Sequence, residues 1–368
     1  MKIVCSRQQL VEAVSNVQRA VSTKSSVPAL EGILLRTSGG EVTLCGYDLE
    51  LGMTTSIESS VEESGSVVLS ARLFADIVRR LPGERVSLTI DEKNITTIKS
   101  GASEFSIVGI PAGEYPDMPA ISGDDSVTLP QHLLKGMIRQ TIFAVAESDA
   151  KPIHTGTLFE IGEGRIRLVS VDGYRLAMRE EAAGGDAELS FVVPGKTLSE
   201  VSKLLSDEEE DELELRVGRR HIQFRIGSYC VISRLLEGEF LDYRAAIPQS
   251  STTEMIANTR EFISSVERVS LLITDRLKSP LRCQFGDGEI HLSCSTAIGR
   301  ASDQFEAAIT GAPVEMGFNN RYLLDALRNS EGDEVKIQLN GPLSPMKVMP
   351  REGSDYLFLV LPVRLKTE

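Results

Sequence analysis

The chain has 368 residues, 41% hydrophobic and 25% charged, with 53 acidic against 39 basic side chains and a net charge of −14. That balance excludes a disordered or fibrous chain. No apolar run approaches the roughly 20 residues that span a bilayer, and Met1-Lys2-Ile3-Val4-Cys5-Ser6-Arg7 is too short an apolar run for a secretory signal. The chain is therefore expected to stay in the cytoplasm, with no membrane partner. Cys5, Cys45, Cys230, Cys283 and Cys294 lie on apolar segments with no C-x-x-C pair, so they read as reduced core residues rather than disulfides or zinc ligands.

One pattern recurs. Gly40-Glu41-Val42-Thr43-Leu44 is followed 124 positions later by Gly164-Arg165-Ile166-Arg167-Leu168, and after 124 more by Gly288-Glu289-Ile290-His291-Leu292. Each copy follows an apolar segment and a turn, so each reads as a β-hairpin with its glycine where the turn needs positive φ. A repeat of this length is a domain, which divides the chain into 1–124, 125–248 and 249–368. The boundaries fall in the polar stretches Ser122-Gly123-Asp124-Asp125 and Pro248-Gln249-Ser250-Ser251.

Within each unit an amphipathic helix comes first: Ser6 to Val21, Pro130 to Ala146, and Asn258 to Ile273. Ser6, and Asn258 or Thr259, suit N-caps, and Pro130 suits a first helical position. After the hairpin a second helix is predicted over Leu73 to Leu81, Thr197 to Leu205 and Arg321 to Asn329. A strand pair and an extended run close each unit. The expected fold is thus α+β, three tandem units that each lay two helices on antiparallel sheets. The acidic run from Asp207 to Glu212 falls in a loop and reads as solvated.

Nothing in the chain marks catalysis. There is no P-loop, G-x-G-x-x-G, H-E-x-x-H or G-x-S-x-G motif, and His132, His154, His221 and His291 have no metal-ligand spacing. No enzyme, cofactor or metal is expected.

The acidic total argues against a nucleic acid partner unless basic residues cluster locally. Arg72 and Arg79, Lys196 and Lys203, and Arg321 and Arg328 lie seven apart on the three second helices, so each pair shares a face. The opening helices add Arg7, Arg19, Lys135, Arg139, Arg260 and Arg268. Helices turned inward around an axis would gather these into a positive lining; solvated helix faces would carry them with no partner at all. Any contact would be to phosphates, indifferent to base sequence.

Four stretches carry a resemblance: Val171-Asp172-Gly173-Tyr174-Arg175-Leu176, Glu239-Phe240-Leu241-Asp242-Tyr243-Arg244, Gly317-Phe318-Asn319-Asn320-Arg321-Tyr322, and Leu361-Pro362-Val363-Arg364-Leu365. Set in three equivalent units, they make the chain resemble, over essentially its whole length, the sliding clamps that are the β subunits of bacterial DNA polymerase III. The resemblance implies a processivity factor with no catalytic activity. It would be a head-to-tail homodimer whose six clamp domains ring double-stranded DNA, helices inward and sheets outward, held by topology. Implied partners are the DNA polymerase III α subunit, the clamp loader, and other proteins that insert a short apolar peptide between the second and third units.

By the same resemblance, Val171, Gly173, Tyr174, Arg175 and Leu176 would form the middle unit's side of the peptide pocket, with Leu241 close by. The third unit would give Leu277, Asn319, Tyr322, Leu343 and Leu359, together with Leu361, Pro362, Val363 and Arg364. DNA contacts would fall to Lys24, Arg72, Arg79, Lys151 and Lys196, and the dimer joint to Phe105 and Ile107 against Leu271 and Leu272. The chain departs from the family pattern at His154 and Thr155 on the pocket wall. Leu241 stands where a proline is usual, Ala245 replaces a longer basic residue, and Lys366-Thr367-Glu368 runs past the usual end beside the pocket mouth. Other classes left open are a DNA-modifying or nucleotide-dependent enzyme on tandem repeats, and a structural ring without nucleic acid.

Overall fold

The computed structural model describes residues 1–121, 126–148, 150–184, 187–274, 276, 277 and 279–365. The expected boundary at Ser122 to Asp125 and the tail Lys366-Thr367-Glu368 lie outside the described residues. The first repeat runs β1 (Lys2–Ser6), α1 (Arg7–Val17), β2 (Gly32–Ser38), β3 (Glu41–Tyr47), β4 (Leu51–Glu63), β5 (Ser66–Ser70), α2 (Ala71–Arg80), β6 (Arg85–Ile90), β7 (Ile95–Ser100) and β8 (Ser103–Val108). The second runs β9 (Ser126–Pro130), α3 (Gln131–Thr141), β10 (Gly156–Gly162), β11 (Arg165–Val171), β12 (Arg175–Ala182), β13 (Leu189–Pro194), α4 (Gly195–Ser202), β14 (Glu212–Val217), β15 (His221–Ile226), β16 (Tyr229–Arg234) and the short α5 (Tyr243–Ala246). The third runs β17 (Thr253–Asn258), α6 (Thr259–Ser270), β18 (Leu281–Gly286), β19 (Glu289–Thr296), β20 (Gly299–Glu306), β21 (Ala308–Gly311), β22 (Val314–Phe318), α7 (Asn320–Arg328), β23 (Glu334–Leu339), β24 (Met346–Pro350) and β25 (Tyr356–Val360). Among the described residues no helix is long and apolar enough to cross a membrane.

Every repeat opens on a strand that the sequence reading, which began each unit with its helix, left unassigned. Ile3 and Cys5, Val127 and Leu129, and Met255 and Ala257 alternate inward with period two before the helix begins. Pro130 therefore closes β9 instead of opening α3, and Ser6 makes no side-chain cap. Asn258 does cap its helix, its Oδ1 accepting from Glu261 N–H at 3.0 Å.

The chain forms two compact units, Met1–His132 with Lys203–Leu235, and Leu133–Ser202 with Leu236–Glu368, so the second repeat is shared between them. In the first unit the order is β8-β7-β6-β1-β4-β16-β15-β14-β9, with β2, β3 and β5 attached through β4. The 13-residue β4 pairs β3, β1 and, from Thr55↔Tyr229 to Leu51↔Ser233, β16 of the second repeat. Helices α1 and α2 bury Leu10, Val14, Val17, Phe74 and Val78 completely. The second unit holds β13-β10-β11-β12-β25-β24-β23-β17-β21 and the four strands β20-β19-β18-β22. Its seam pairs Arg175↔Val360 through Arg179↔Tyr356, and Phe262, Phe318 and Phe358 sit fully buried in its core.

Repeat ends share one more feature. After its last strand the chain bridges back to the strand preceding the second helix, Ile110 to Val68, Leu236 to Val192, and Val363 to Gly317.

The hairpin turns divide into two kinds. Glu163 and Gly164 (φ 53° and 73°) and Asp287 and Gly288 (54° and 80°) are both left-handed, as a type I′ turn requires. In the first copy only Gly39 is (60°), so the positive φ expected at Gly40 falls one residue earlier. Gly164→Ala should accordingly cost about 1–2 kcal/mol, the penalty of a Cβ in the left-handed region. Gly40→Ala, with open space around its Cβ, should stay within about 0.5 kcal/mol in denaturant titrations.

Candidate functional site

Val171 ends β11 and Arg175 begins β12, leaving Asp172-Gly173-Tyr174 as the turn between them. Asp172 builds that turn: its Oδ1 accepts from the backbone N–H of Tyr174 at 2.9 Å and of Arg175 at 3.0 Å. Gly173 adopts φ 91°, with nothing near its Cβ position. The turn leaves the Tyr174 ring 62% exposed, while the Tyr174 carbonyl accepts the N–H of Leu361 at 2.9 Å.

Arg175 ties this turn to the third repeat. Its Nε–H donates to Asp172 Oδ2 at 2.9 Å and its Nη1 to Asp325 Oδ2 on α7. The guanidinium lies 4.5 Å from the Tyr322 ring centroid and 5.6 Å from that of Phe143, close enough for cation–π attraction. Tyr174 and Tyr322 stack at 6.1 Å. Burial, with Asp172 nearby, pushes the Tyr322 phenol above its ordinary value, so it stays neutral. Asn319 supports this side by capping α7, its Oδ1 accepting from Arg321 N–H at 3.0 Å, which sets Tyr322 on the first turn and Asp325 on the next.

Beneath lies an apolar floor. Leu176 and Leu359 face each other in the seam, almost fully buried, and Val171 joins them in a cluster with Ile153 and Tyr243. Apolar side chains also stand in solvent: Leu343 on the β23–β24 loop, Leu241, Leu361 and Val363. Leu241 lines a groove of about 620 Å³ with Ile153, His154 and Phe240. His154 is buried with its ring edge toward Phe240 at 5.6 Å, and burial, then Lys151, holds the imidazole below its ordinary value, hence uncharged at neutral pH. Thr155 turns its hydroxyl onto the Pro152 carbonyl at 2.7 Å, and Ala245 is exposed. A cavity of about 1010 Å³ takes in Leu277, Val363 and Arg364 but not Tyr174, Arg175 or Tyr322. Pro362 is half-buried between the exposed Leu361 and Val363.

Sequence reasoning quoted Asp172 within a motif but gave it no role, and did not single out Phe143 and Asp325; all three fix Arg175. Only Asp172 carried a local signal, an Asx residue before glycine. Asp325 is 150 positions from Arg175.

Lys24, Arg72, Arg79, Lys151 and Lys196 are all exposed. On α2, Arg72 and Arg79 lie away from buried Phe74 and Val78. The third repeat compensates its own basic residues: Arg328 pairs with Glu267 at 2.6 Å, Arg268 with Asp303 at 2.6 Å, and Arg260 lies 3.8 Å from Asp333. Phe105 and Ile107 lie on β8, an end strand of its sheet, and Leu271 follows α6 with 79% exposure. Val108 and Ile298, also exposed, were not singled out by sequence.

Two helices on antiparallel sheets, repeated three times in register and sharing sheets from one repeat to the next, define a DNA-clamp type of fold. Residues 1–119, 128–242 and 244–364 match the N-terminal, central and C-terminal domains of the DNA polymerase III beta subunit. The beta sliding clamp of Bacillus subtilis (strain 168) is 33% identical over 377 residues, covering 99% of this chain and all of that protein. The crystal structure of a B. subtilis DNA polymerase sliding clamp superposes with a TM-score of 0.96 at 32% identity over both whole chains. A Bartonella birtlesii sliding clamp, solved bound to griselimycin, gives 0.95 at 30% identity over 99% of this chain and all of that one. The chain belongs to the DNA polymerase III beta subunit family, the beta sliding clamps.

Removing the Arg175 guanidinium takes the cation from Asp172, which keeps its two backbone donors, and from the partly exposed Asp325, so Arg175→Ala should cost about 2 kcal/mol in denaturant unfolding. Arg175→Lys keeps the charge but loses the planar fork and should recover part of that loss.

Proposed function

We propose that this chain is a processivity clamp without catalytic activity of its own, acting in the cytoplasm as a head-to-tail pair that encircles duplex DNA, with 1–124, 125–248 and 249–368 as its clamp domains. The observation that carries this reading is a pairing rule with two instances and one remainder. The outer strand of one repeat's hairpin sheet pairs with the closing strand of the next repeat: β4 with β16, and β12 with β25. By position the remaining members are β20 and β8, each the last strand of its sheet. Unpaired edges of this kind demand a partner strand, and a heterologous joint that closes after two copies supplies it.

The rule also gives a register. Thr55↔Tyr229 translates to Asp303 against Ser103, which sets Phe105 of one copy opposite Ala301 of the other and Ile107 opposite Gly299. The Gly299 Cβ position lies 3.7 Å from Leu272, so the apolar residues of β8 meet the end of α6 there. Leu271→Ala with Leu272→Ala should halve the mass seen by light scattering, whereas a dimer that persists would remove the joint.

Lys24, Arg72, Arg79, Lys151 and Lys196 are the proposed phosphate contacts. The pocket residues around Tyr174, Arg175, Tyr322 and the run from Leu361 to Arg364 receive the apolar peptide of the polymerase α subunit, the clamp loader and other replication and repair proteins. Griselimycin, found on the B. birtlesii relative, is the proposed small probe of that pocket. A loaded clamp should stay on closed circular DNA and leave once the circle is cut. Loss at equal rates from both forms would return the question to an enzyme or a scaffold. Each neutralised phosphate contact should lower the salt slope of initial DNA binding by about 1.

A further inference from the structure

The strap that carries Leu241 has a counterpart in the first repeat, and the two are held differently. Gly238-Glu239-Phe240-Leu241-Asp242-Tyr243 corresponds to Gly113-Glu114-Tyr115-Pro116-Asp117-Met118, each following the bridge to the strand before the second helix. Both straps lie on the same three strands of their repeat. In the second repeat these offer Glu160, Arg167 and Glu180 in one cross-strand row; in the first, Arg36, Thr43 and Ser56 occupy that row.

In the second repeat the row grips the strap. Tyr243 is almost fully buried, and its hydroxyl donates to Glu160 Oε2 at 2.6 Å. Arg167 Nη1 donates to the same carboxylate at 3.0 Å and to the Tyr243 oxygen at 3.1 Å, while its Nη2 pairs with Glu180. Arg244 donates to Glu160 at 2.8 Å and lies over the Tyr243 ring at 4.7 Å. In the first repeat the row makes, among the described residues, a single hydroxyl bond, Thr43 to Ser56 at 2.9 Å. Met118 stands where Tyr243 would, and a cavity of about 280 Å³ remains among Leu34, Cys45, Tyr115 and Met118. The first strap is tied instead by the Tyr115 hydroxyl, which donates to the Cys45 carbonyl at 3.3 Å. The two repeats share a backbone frame, and of the two straps the one bearing Leu241 is the one held by a charged carboxylate–guanidinium anchor.

We propose that Glu160 and Tyr243, with Arg167 and Arg244, are positioning residues that hold the 238–246 strap so that Leu241 stands at the wall of the partner pocket; this rests on the peptide-pocket reading above. Leu241 lies two residues before Tyr243 and is 44% exposed, so its place is set by the anchor and by the packing of neighbouring Phe240. A wall residue that must be ordered on binding costs affinity, and a fixed one does not. Burial alone would raise the Glu160 carboxyl, but hydrogen bonds from Tyr243, Arg167 and Arg244 outweigh it and hold the group below its ordinary value. Burial and the bond to Glu160 push the Tyr243 phenol up to about 12. The anchor therefore keeps its carboxylate and its phenolic proton throughout the neutral range and would weaken as pH falls through the lowered carboxyl value or rises to about 12, where the phenol ionises.

The test is griselimycin binding by calorimetry on the full chain, with amide exchange at residues 239–244. Glu160→Gln and Tyr243→Phe should each weaken binding about fivefold, a fraction of the tenfold or more that a charged hydrogen bond can carry. Both should speed exchange in the strap. Met118→Ala, in the other strap, should leave affinity unchanged. Leu241→Ala should weaken binding in the wild-type chain but less than twofold in the Glu160→Gln background, a coupling that general destabilisation would not produce. Tyr243→Phe keeps the ring packing and so remains readable should Glu160→Gln fold poorly. Wild-type affinity in both anchor variants, or an equal Leu241→Ala loss in both backgrounds, overturns the anchor while Tyr174→Ala still reports on the pocket. No binding by the wild-type chain, or unchanged binding by Tyr174→Ala and Leu241→Ala, overturns the pocket reading and this inference with it.

Discussion

A β-strand whose outer edge is unpaired leaves a row of N–H and C=O groups that must find partners, and no repeat of this chain completes its own hairpin sheet. The first and second each depend on the closing strand of the repeat that follows, β4 on β16 and β12 on β25. The seam between β12 and β25 is the instance on which the candidate site depends, because it lines up Arg175 with Val360 and Leu176 with Leu359. From that register follow the bond between the Tyr174 carbonyl and Leu361, the approach of α7, and the sharing of one guanidinium between Asp172 and Asp325. The site is thus a by-product of joining two repeats.

The same economy governs charge. An acidic chain that embraced DNA through many ion pairs would bind it in place, because each phosphate contact adds affinity. Here the third repeat spends several of its arginines on its own carboxylates, Glu267, Asp303 and Asp333. The proposed DNA contacts all fall in the first two repeats. A ring that holds by closure needs no more than a sparse lining, and sparse contacts can be exchanged as the duplex moves through.

What the sequence made legible was whatever has a short period. The triplicate hairpin, the seven-residue spacing of basic residues and the helical apolar stripes all lie within windows of a few turns, and the elements appear where those patterns lie. The opening strands escaped because five or six alternating residues run straight into a helix, whose longer period dominates the window. Gly39 rather than Gly40 takes the left-handed turn because a Gly-Gly pair offers no local preference between them. Phe143 and Asp325 escaped for a different reason: their link to Arg175 exists only once β12 and β25 are paired, and no local pattern records a pairing across 180 or so residues. Leu176 and Leu359, assigned to the pocket through family resemblance, lie in the buried core.

The strap faces show how far identical backbones can diverge in what they require of water. Leu34, Cys45 and Thr54 line that face in the first repeat, and Leu158, Val169 and Met178 occupy the matching places in the second. In the third they are Arg282, Ser293 and Ser302, and there the face opens into the cavity of about 1010 Å³. Apolar surface has to be roofed, while hydroxyl groups can be met by solvent and the Arg282 guanidinium is met by Glu315 at 2.9 Å. The third repeat therefore stays folded with that face wet, which leaves the run from Leu361 to Arg364 free of roofing duty and its apolar side chains turned outward.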